Sequence, residues 1–363
     1  MARIVLGLGT SHSPVLSTAD HREWAVYAQG DYRHRELVHP GTGRSVTYEE
    51  LEAIAPPEVR DRDISEPVFK RQYDACQAAI AELARTVQAV KPDVTVIISD
   101  DQDEMFFEDN MPAFAVYWGE SMPIVPFDVD RLNLPPNFTA IGESLKRGYG
   151  DEPIVVPVAS ALGRHVIDHM IAHEFDVAHS TYRGELAGGS IARRYPTAAG
   201  ELDYVRQTPE HRQGMGHGYS FIVQRLFEKR PWTILPIFQN TCYPPNQPTA
   251  KRSYRFGQAL REAIESWDSD ARVAVVASGG LSHFVVDEVL DQMVLGALAR
   301  KDAETLQHLP RHRLYSAASE AQNWVALGGV LEATPLTMEL VEYVPMYRTK
   351  AGTGGGWAFA RWQ

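Results

Sequence analysis

The chain has 363 residues, 44% hydrophobic and 23% charged, enough to bury a sizeable core as one large α/β domain or two modest ones. A formal net charge of −12 without any Lys/Arg run excludes nucleic acid and anionic membrane as the main partner and points to a small molecule. Two distant cysteines, Cys76 and Cys242, exclude a disulfide framework and a thiolate zinc site; no apolar run reaches the ~20 residues of a membrane span, and MARIVLGLGTSHSP lacks the pattern of a secretory leader, so a cytoplasmic protein is expected.

In chain order, RIVLGL at 3–8 predicts a first strand, followed by a polar loop with Thr10, Ser11, His12 and Ser13. Residues 17–65 are mixed, charged and rich in turn formers, an excursion rather than core. Over 68–90, Tyr73, Cys76, Ile80, Leu83, Val87 and Val90 recur at spacings of three and four, which predicts a helix ended by Lys91-Pro92-Asp93. Val94 to Ile98 predict a buried strand, and further strands fall at 114–118, 154–158, 233–238 and 272–277. Helical patterns occupy about 160–174, 218–228, 249–267, 285–300 and 313–331, while 180–212 interrupts the alternation as an insertion.

This alternation predicts a single large α/β domain over 1–363, with a mostly parallel central sheet covered by helices on both faces and excursions at about 17–65 and 180–212. In such sheets ligands sit beyond the carboxyl ends of the strands. The loops after residues 8, 98, 238 and 277 are therefore where chemistry is expected. They carry GTSHSP with His12, SDDQDE, QNTCYPPNQP and SGGLSHF with His283. Histidines on strand-end loops face a cleft or solvent more readily than a core.

His12 in GLGTSHSP, the strand-end acids before PAFAVYWG, the GHG at 216–218, NTCYPPNQPTAKR, SGGLSH and SEAQNW together resemble, in order, landmarks of the class III extradiol dioxygenases. This is the superfamily of protocatechuate 4,5-dioxygenase, gallate dioxygenase and 3-O-methylgallate dioxygenase. The resemblance implies an α/β fold, a non-haem Fe(II) site, and O₂-dependent opening of a small catechol-type aromatic acid, in a homodimer or with a small second subunit. A triad of two histidines and one carboxylate leaves open positions on the ion for substrate and O₂. Carried over by position, His12 is the first ligand, His283 the acid/base residue and His217 a substrate-side histidine.

Two ligand positions depart from the pattern. Aligned on PAFAV the second histidine falls on Gln102, and aligned on SEAQNW the carboxylate falls on Asn323. Neutral amides are weak donors to Fe(II), and two readings stay open. Neighbouring acids rebuild the site, in a set such as His12, Asp101 and Glu320, with Asp100 beside them. Alternatively the fold has kept its aromatic pocket without a metal, and His12, His217 and His283 do acid/base lyase or hydrolase chemistry on a phenol, with Gln102 and Asn323 as hydrogen-bonding groups. An inactive binding or subunit relative is a third reading, as is a merely solvated SDDQDE.

For substrate positioning the candidates are Tyr243, stiffened by Pro244 and Pro245, with Asn240 and Thr241. His165, His169 and His173 recur every four residues, but the outer pair is separated by ~12 Å of helix rise, so all three cannot share one ion and the stripe reads as exposed or interfacial. GTGGG at 352–356 reads as a flexible C-terminal turn, since no strand pattern leads into it.

Overall fold

The structure is a computed structural model that describes residues 1–129, 139–181, 190–197, 200–207 and 215–363. Its strands are β1 (Arg3–Thr10), β2 (Val94–Ser99), β3 (Phe114–Tyr117), β4 (Ser121–Ile124), β5 (Ile154–Pro157), β6 (Ala178–Ser180), β7 (Ser190–Thr197), β8 (Gly200–Gln207), β9 (Ile234–Gln239), β10 (Arg272–Ser278), β11 (His283–Val285), β12 (Met338–Tyr347) and β13 (Thr353–Trp362). The central sheet runs β11-β13-β1-β10-β2-β9-β3-β6, with β12 paired to β13. At its centre β1, β10, β2 and β9 are parallel neighbours. VTVIIS of β2 is buried at every position, as expected of a strand covered on both faces.

Strand pleating sends successive side chains to opposite faces. Gly7 and Gly9 turn toward Leu331 and Trp324 of the helix Ala321–Leu331, which packs on the helix Ala250–Ser266. Leu8 shares its face with its β13 partner Arg361, whose guanidinium reaches Glu82 and Thr86 of the helix Glu66–Val90. That helix buries Cys76, Ile80, Leu83 and Val87, the stripe that its sequence spacing predicted. Each such aliphatic burial stabilises the fold by about 1.5–3 kcal/mol.

Four expectations need correction. GTGGG is no flexible turn: Thr353 opens the buried strand β13, held between β11 and β12, and Gly354 takes φ +149° where a side chain would strike the Met346 backbone. Burial there is set by neighbours that crowd the backbone, which propensity does not register. The segment at 154–158 forms a two-stranded ladder with β4 and meets the main sheet through one bridge, Val158 to Ile234. The region 17–65 contributes to the core through Trp24, and Asp31 forms a buried ion pair with Arg348 at 2.9 Å. The helix expected over 313–331 begins with a 3-10 turn at Ser316–Glu320. Of the expected insertion at 180–212, the antiparallel pair β7–β8 is described and most of the rest lies outside the described residues. Among the described residues, no helix is long and apolar enough to cross a membrane.

Candidate functional site

Loops from distant parts of the chain meet at the carboxyl edge of the parallel strands. His12 follows β1, the run Asp100–Glu104 follows β2, Gly279 to His283 follow β10, and the 3-10 turn before the helix Ala321–Leu331 brings in Glu320. His12, Asp100, Glu320 and His283 are all buried, with 2%, 0%, 2% and 6% of their surface exposed, so ionic groups here are out of bulk water.

The state of His12 follows from its neighbours. Its Nδ1 lies 2.9 Å from Ser278 Oγ, and that hydroxyl donates its proton to the Gly218 carbonyl at 2.7 Å. A hydroxyl has one proton to give, so Ser278 must accept from His12 Nδ1–H. In the neutral ring Nε2 is then a bare lone pair. It makes no hydrogen bond and points toward Glu320 Oε2 at 3.5 Å. Burial lowers the His12 pKa to about 3, keeping the ring neutral. A lone pair aimed at a buried carboxylate is repulsive unless a cation sits between them. One donor atom each from His12, Asp100 and Glu320 lie within 4.8 Å of one another, an arrangement able to close around a divalent cation.

Glu320 is held from several sides. Oε2 accepts the Gly280 backbone N–H at 2.7 Å, while Oε1 accepts Gln102 Nε2 at 2.8 Å and faces His283 Nε2 at 3.3 Å. His283 Nδ1 meets the Leu281 carbonyl at 3.1 Å. The carbonyl only accepts, so Nδ1 carries a proton, and the Glu320 carboxylate facing Nε2 favours a second proton there. Burial alone would lower its pKa, but the Glu320 carboxylate raises it. Conversely, burial alone would raise Glu320, and His283 beside it holds the carboxyl well below its usual range.

Gln102 Nε2 also donates to Asp100 Oδ2 at 2.9 Å, so one amide group bridges two carboxylates. Asp100 Oδ1 accepts Asn323 Nδ2 at 3.1 Å. Burial, then the Glu320 charge, pushes the Asp100 carboxyl up to about 7. Asn323 further donates to the Ser278 carbonyl at 3.1 Å and accepts Gln239 Nε2 at 3.0 Å, which makes it a brace between β10, β9 and Asp100.

His217 sits with its ring edge-on to His12, the centroids 4.6 Å apart. Its Nδ1 and its backbone N–H both donate to Glu104 Oε1, at 2.8 and 2.7 Å, and the Tyr149 hydroxyl donates to the same oxygen. Burial would lower the His217 pKa, but Glu104 overrides it and raises the value to about 10. The flanking glycines are required by space: a Cβ at Gly216 would press on Glu104 Oε2, and one at Gly218 on Ser99 Oγ and the His12 ring. A cavity lined by His12, His217, Tyr149, Phe221, Leu145 and Gly148 adjoins the cluster.

The structure thus brings together His12, His217, His283, Gln102, Glu320 and Asn323. Asp101 is turned away: its carboxylate accepts the backbone N–H groups of Glu104, Met105 and Phe106 at 3.2, 2.8 and 3.0 Å and folds the loop, while Asp100 faces His12. Strand alternation, continued past Ser99, separates those two neighbours and was the available signal. Tyr243 is buried with Cys242 and Tyr315, its backbone N–H held by Asn240 Oδ1 at 2.9 Å, and Thr241 Oγ1 is buried without a partner. Ser278 and Glu104 lie within the SGGLSHF and SDDQDE loops but nothing in the sequence singles them out there, and Tyr149 emerges only from the fold. His165 reaches Ser266 at 3.1 Å, and His169 and His173 stack at 3.9 Å beside Glu262, so the histidine stripe lies along a helix interface.

Comparison with known proteins supplies the family. Residues 59–354 match the family described as the catalytic LigB subunit of aromatic ring-opening dioxygenase. The chain is 33% identical over 132 residues to a gallate dioxygenase of Pseudomonas putida, covering 36% of this chain and 30% of that one. It is 23% identical over 218 residues to a 2,3-dihydroxyphenylpropionate/2,3-dihydroxicinnamic acid 1,2-dioxygenase of Burkholderia vietnamiensis, covering 58% and 51%. With the enzyme of the same name from Photorhabdus laumondii it shares 24% over 254 residues, covering 68% and 62%. The chain therefore spans between 30% and 62% of the length of these curated relatives. With more than half its residues matched in one continuous stretch, the chain belongs to the family of the catalytic LigB subunit of aromatic ring-opening dioxygenases.

Proposed function

We propose that this chain opens the ring of a small catechol-type aromatic acid, breaking the ring carbon–carbon bond beside the two hydroxyls and adding both atoms of O₂. The observation that carries the reading is the lone pair of His12 Nε2, buried, unbonded and aimed at the carboxylates of Asp100 and Glu320. Those three donors fit a divalent cation: the ring is neutral, its tautomer is fixed by Ser278, and two acids balance the charge. When bound, such an ion supplies Lewis acidity toward a catechol oxygen and a position for O₂.

The remaining residues have separable tasks. His283 holds a proton at Nε2 next to Glu320 and moves it to or from substrate oxygen. His217, kept cationic by Glu104, whose carboxylate also accepts the Tyr149 hydroxyl, offers a charge to an anionic group of the substrate. Tyr149, Phe221 and Leu145 give the adjoining cavity aromatic and apolar walls beside His12 and His217. The names of the relatives, a gallate dioxygenase and two dihydroxyphenylpropionate dioxygenases, support a carboxylated substrate with vicinal hydroxyls.

The test is O₂ uptake by metal-depleted protein resupplied with Fe(II) or Mn(II), against protocatechuate, gallate, 3-O-methylgallate and 2,3-dihydroxyphenylpropionate. The expected result is one O₂ consumed per substrate, a yellow ring-opened product and arrest by a chelator. Absence of O₂ uptake with every catechol and both ions would overturn it, and turnover of a phenol indifferent to chelator would replace it with histidine acid/base chemistry.

A further inference from the structure

We infer that the ion of this site is held by one imidazole and two carboxylates, His12, Asp100 and Glu320, with Gln102 acting as a hydrogen-bonding clamp rather than a ligand, and that the centre accepts Mn(II) at least as readily as Fe(II). The inference deepens the proposed function and rests on its divalent-cation site. The resemblance to extradiol dioxygenases implies two histidines and one carboxylate, and at the second histidine position stands Gln102.

The role of Gln102 follows from what surrounds it. Its Nε2 lies 2.9 Å from Asp100 Oδ2 and 2.8 Å from Glu320 Oε1. Carboxylates accept, so the NH₂ end of the amide faces both and spends one proton on each. An amide binds metals through its carbonyl oxygen, since the nitrogen lone pair is delocalised, and it is the NH₂ end rather than that oxygen which is turned to the two acids. What Gln102 does instead is hold two buried acids side by side, which like charges in a dry site would otherwise resist. Asn323 steadies Asp100 from the other side at 3.1 Å, and the Gly280 N–H steadies Glu320 at 2.7 Å.

The remaining imidazoles are also committed. His283 directs Nε2 to Glu320, His217 directs Nδ1 to Glu104, and neither belongs to the group of mutually close donors. The ligand set is thus one nitrogen and carboxylate oxygen, with two negative charges where the implied triad has one. Exchanging an imidazole for a carboxylate hardens the site, and oxygen-rich sets suit Mn(II), whereas imidazole-rich sets favour iron and the later metals.

The experiment uses the full-length protein, depleted of metal under anaerobic conditions. Titration with Mn(II), followed by loss of the aqueous Mn(II) paramagnetic resonance signal, is expected to show one ion per chain. Electron spin echo modulation of that complex is expected to show a single coordinated histidine nitrogen, and Fe(II) in equimolar competition to displace no more than half the Mn(II). Gln102→His is expected to add a second nitrogen coupling and to shift the competition toward Fe(II) by about tenfold. Asp100→Asn is expected to weaken Mn(II) binding by well over tenfold. Two histidine nitrogens in the unaltered protein, or tenfold preference for Fe(II) with Asp100→Asn binding as before, would overturn the inference while leaving a metal-dependent enzyme. No stoichiometric binding of either ion would instead remove the divalent-cation site itself. The echo and competition measurements on unaltered protein stand even if a variant fails to fold.

Discussion

Ser278 accepts the Nδ1 proton of His12 at 2.9 Å because its own proton is already given to the Gly218 carbonyl at 2.7 Å. This one hydroxyl decides which face of the imidazole is a donor and which is a lone pair. Replacement by alanine leaves a buried N–H without a partner, a loss of about 1–3 kcal/mol in unfolding free energy. The ring is then free to change tautomer, so divalent-ion affinity should fall by roughly 10–100-fold, the range seen when a partner behind a ligand is removed. Chemical denaturation and ion titration check the two effects separately.

His283→Gln tests the proton-transfer role. Glutamine retains a donor toward Glu320 but cannot exchange a proton, so turnover should fall by about 10²–10⁴-fold. Ion stoichiometry and the circular dichroism spectrum should match the unaltered protein. Unchanged O₂ uptake would remove His283 from the chemistry.

Glu104 receives three donors at a single oxygen, from the His217 ring, the His217 backbone and Tyr149. Glu104→Ala leaves a buried imidazolium without its anion and should destabilise the fold by about 3–5 kcal/mol. Tyr149→Phe removes one of those donors and keeps the ion pair, with an expected cost of about 1.5–3 kcal/mol for a hydrogen bond to a charged group. If His217 anchors an anionic substrate group, Tyr149→Phe raises KM more than it lowers kcat, which steady-state kinetics would show.

Behind the Gly279–His283 turn, Asp291 accepts Ser282 N–H and Oγ at 2.8 Å each and the Tyr343 hydroxyl at 2.7 Å, and burial pushes its carboxyl up to about 7. An unfolded aspartate titrates near ~3.9. Between those values the native protein binds one more proton than the unfolded chain, so this residue's stability contribution is complete in acid and is lost as pH rises toward 7. The slope it adds is about −1.4 kcal/mol per pH unit in that window and flattens above it. Asp291→Asn should remove that slope, which unfolding measured at several pH values would reveal; parallel pH profiles for the two proteins would contradict it.

The parallel centre of the sheet was legible because β1, β2, β9 and β10 are short apolar runs bounded by turn formers, a pattern that needs no tertiary information. The histidines were legible for a related reason: His12 and His283 stand where strand ends give way to polar loops. β13 was not, because three consecutive glycines carry no strand propensity and its burial is imposed by Met346 and Asp291 on either side. Nor was the choice between Asp100 and Asp101, or between Glu320 and Asn323. Adjacent or one-turn-apart residues offer the same chemistry to the reader of a sequence, and only the path of the loop decides which side chain faces His12. Glu104 and Ser278 stood in loops marked for chemistry, but their roles were illegible since their partners, His217 and His12, are brought to them by the fold alone.

The strand that presents His12 is flanked by β10 on one edge and β13 on the other. Of the described strands β1 is the first in sequence and β13 the last, so the two edges of β1 are completed by segments from the far end of the chain. The corner that holds His12, Asp100 and Glu320 is consequently complete only with β13 in place: a truncation before Thr353 would keep all three side chains and still strip one paired edge from the strand that presents His12.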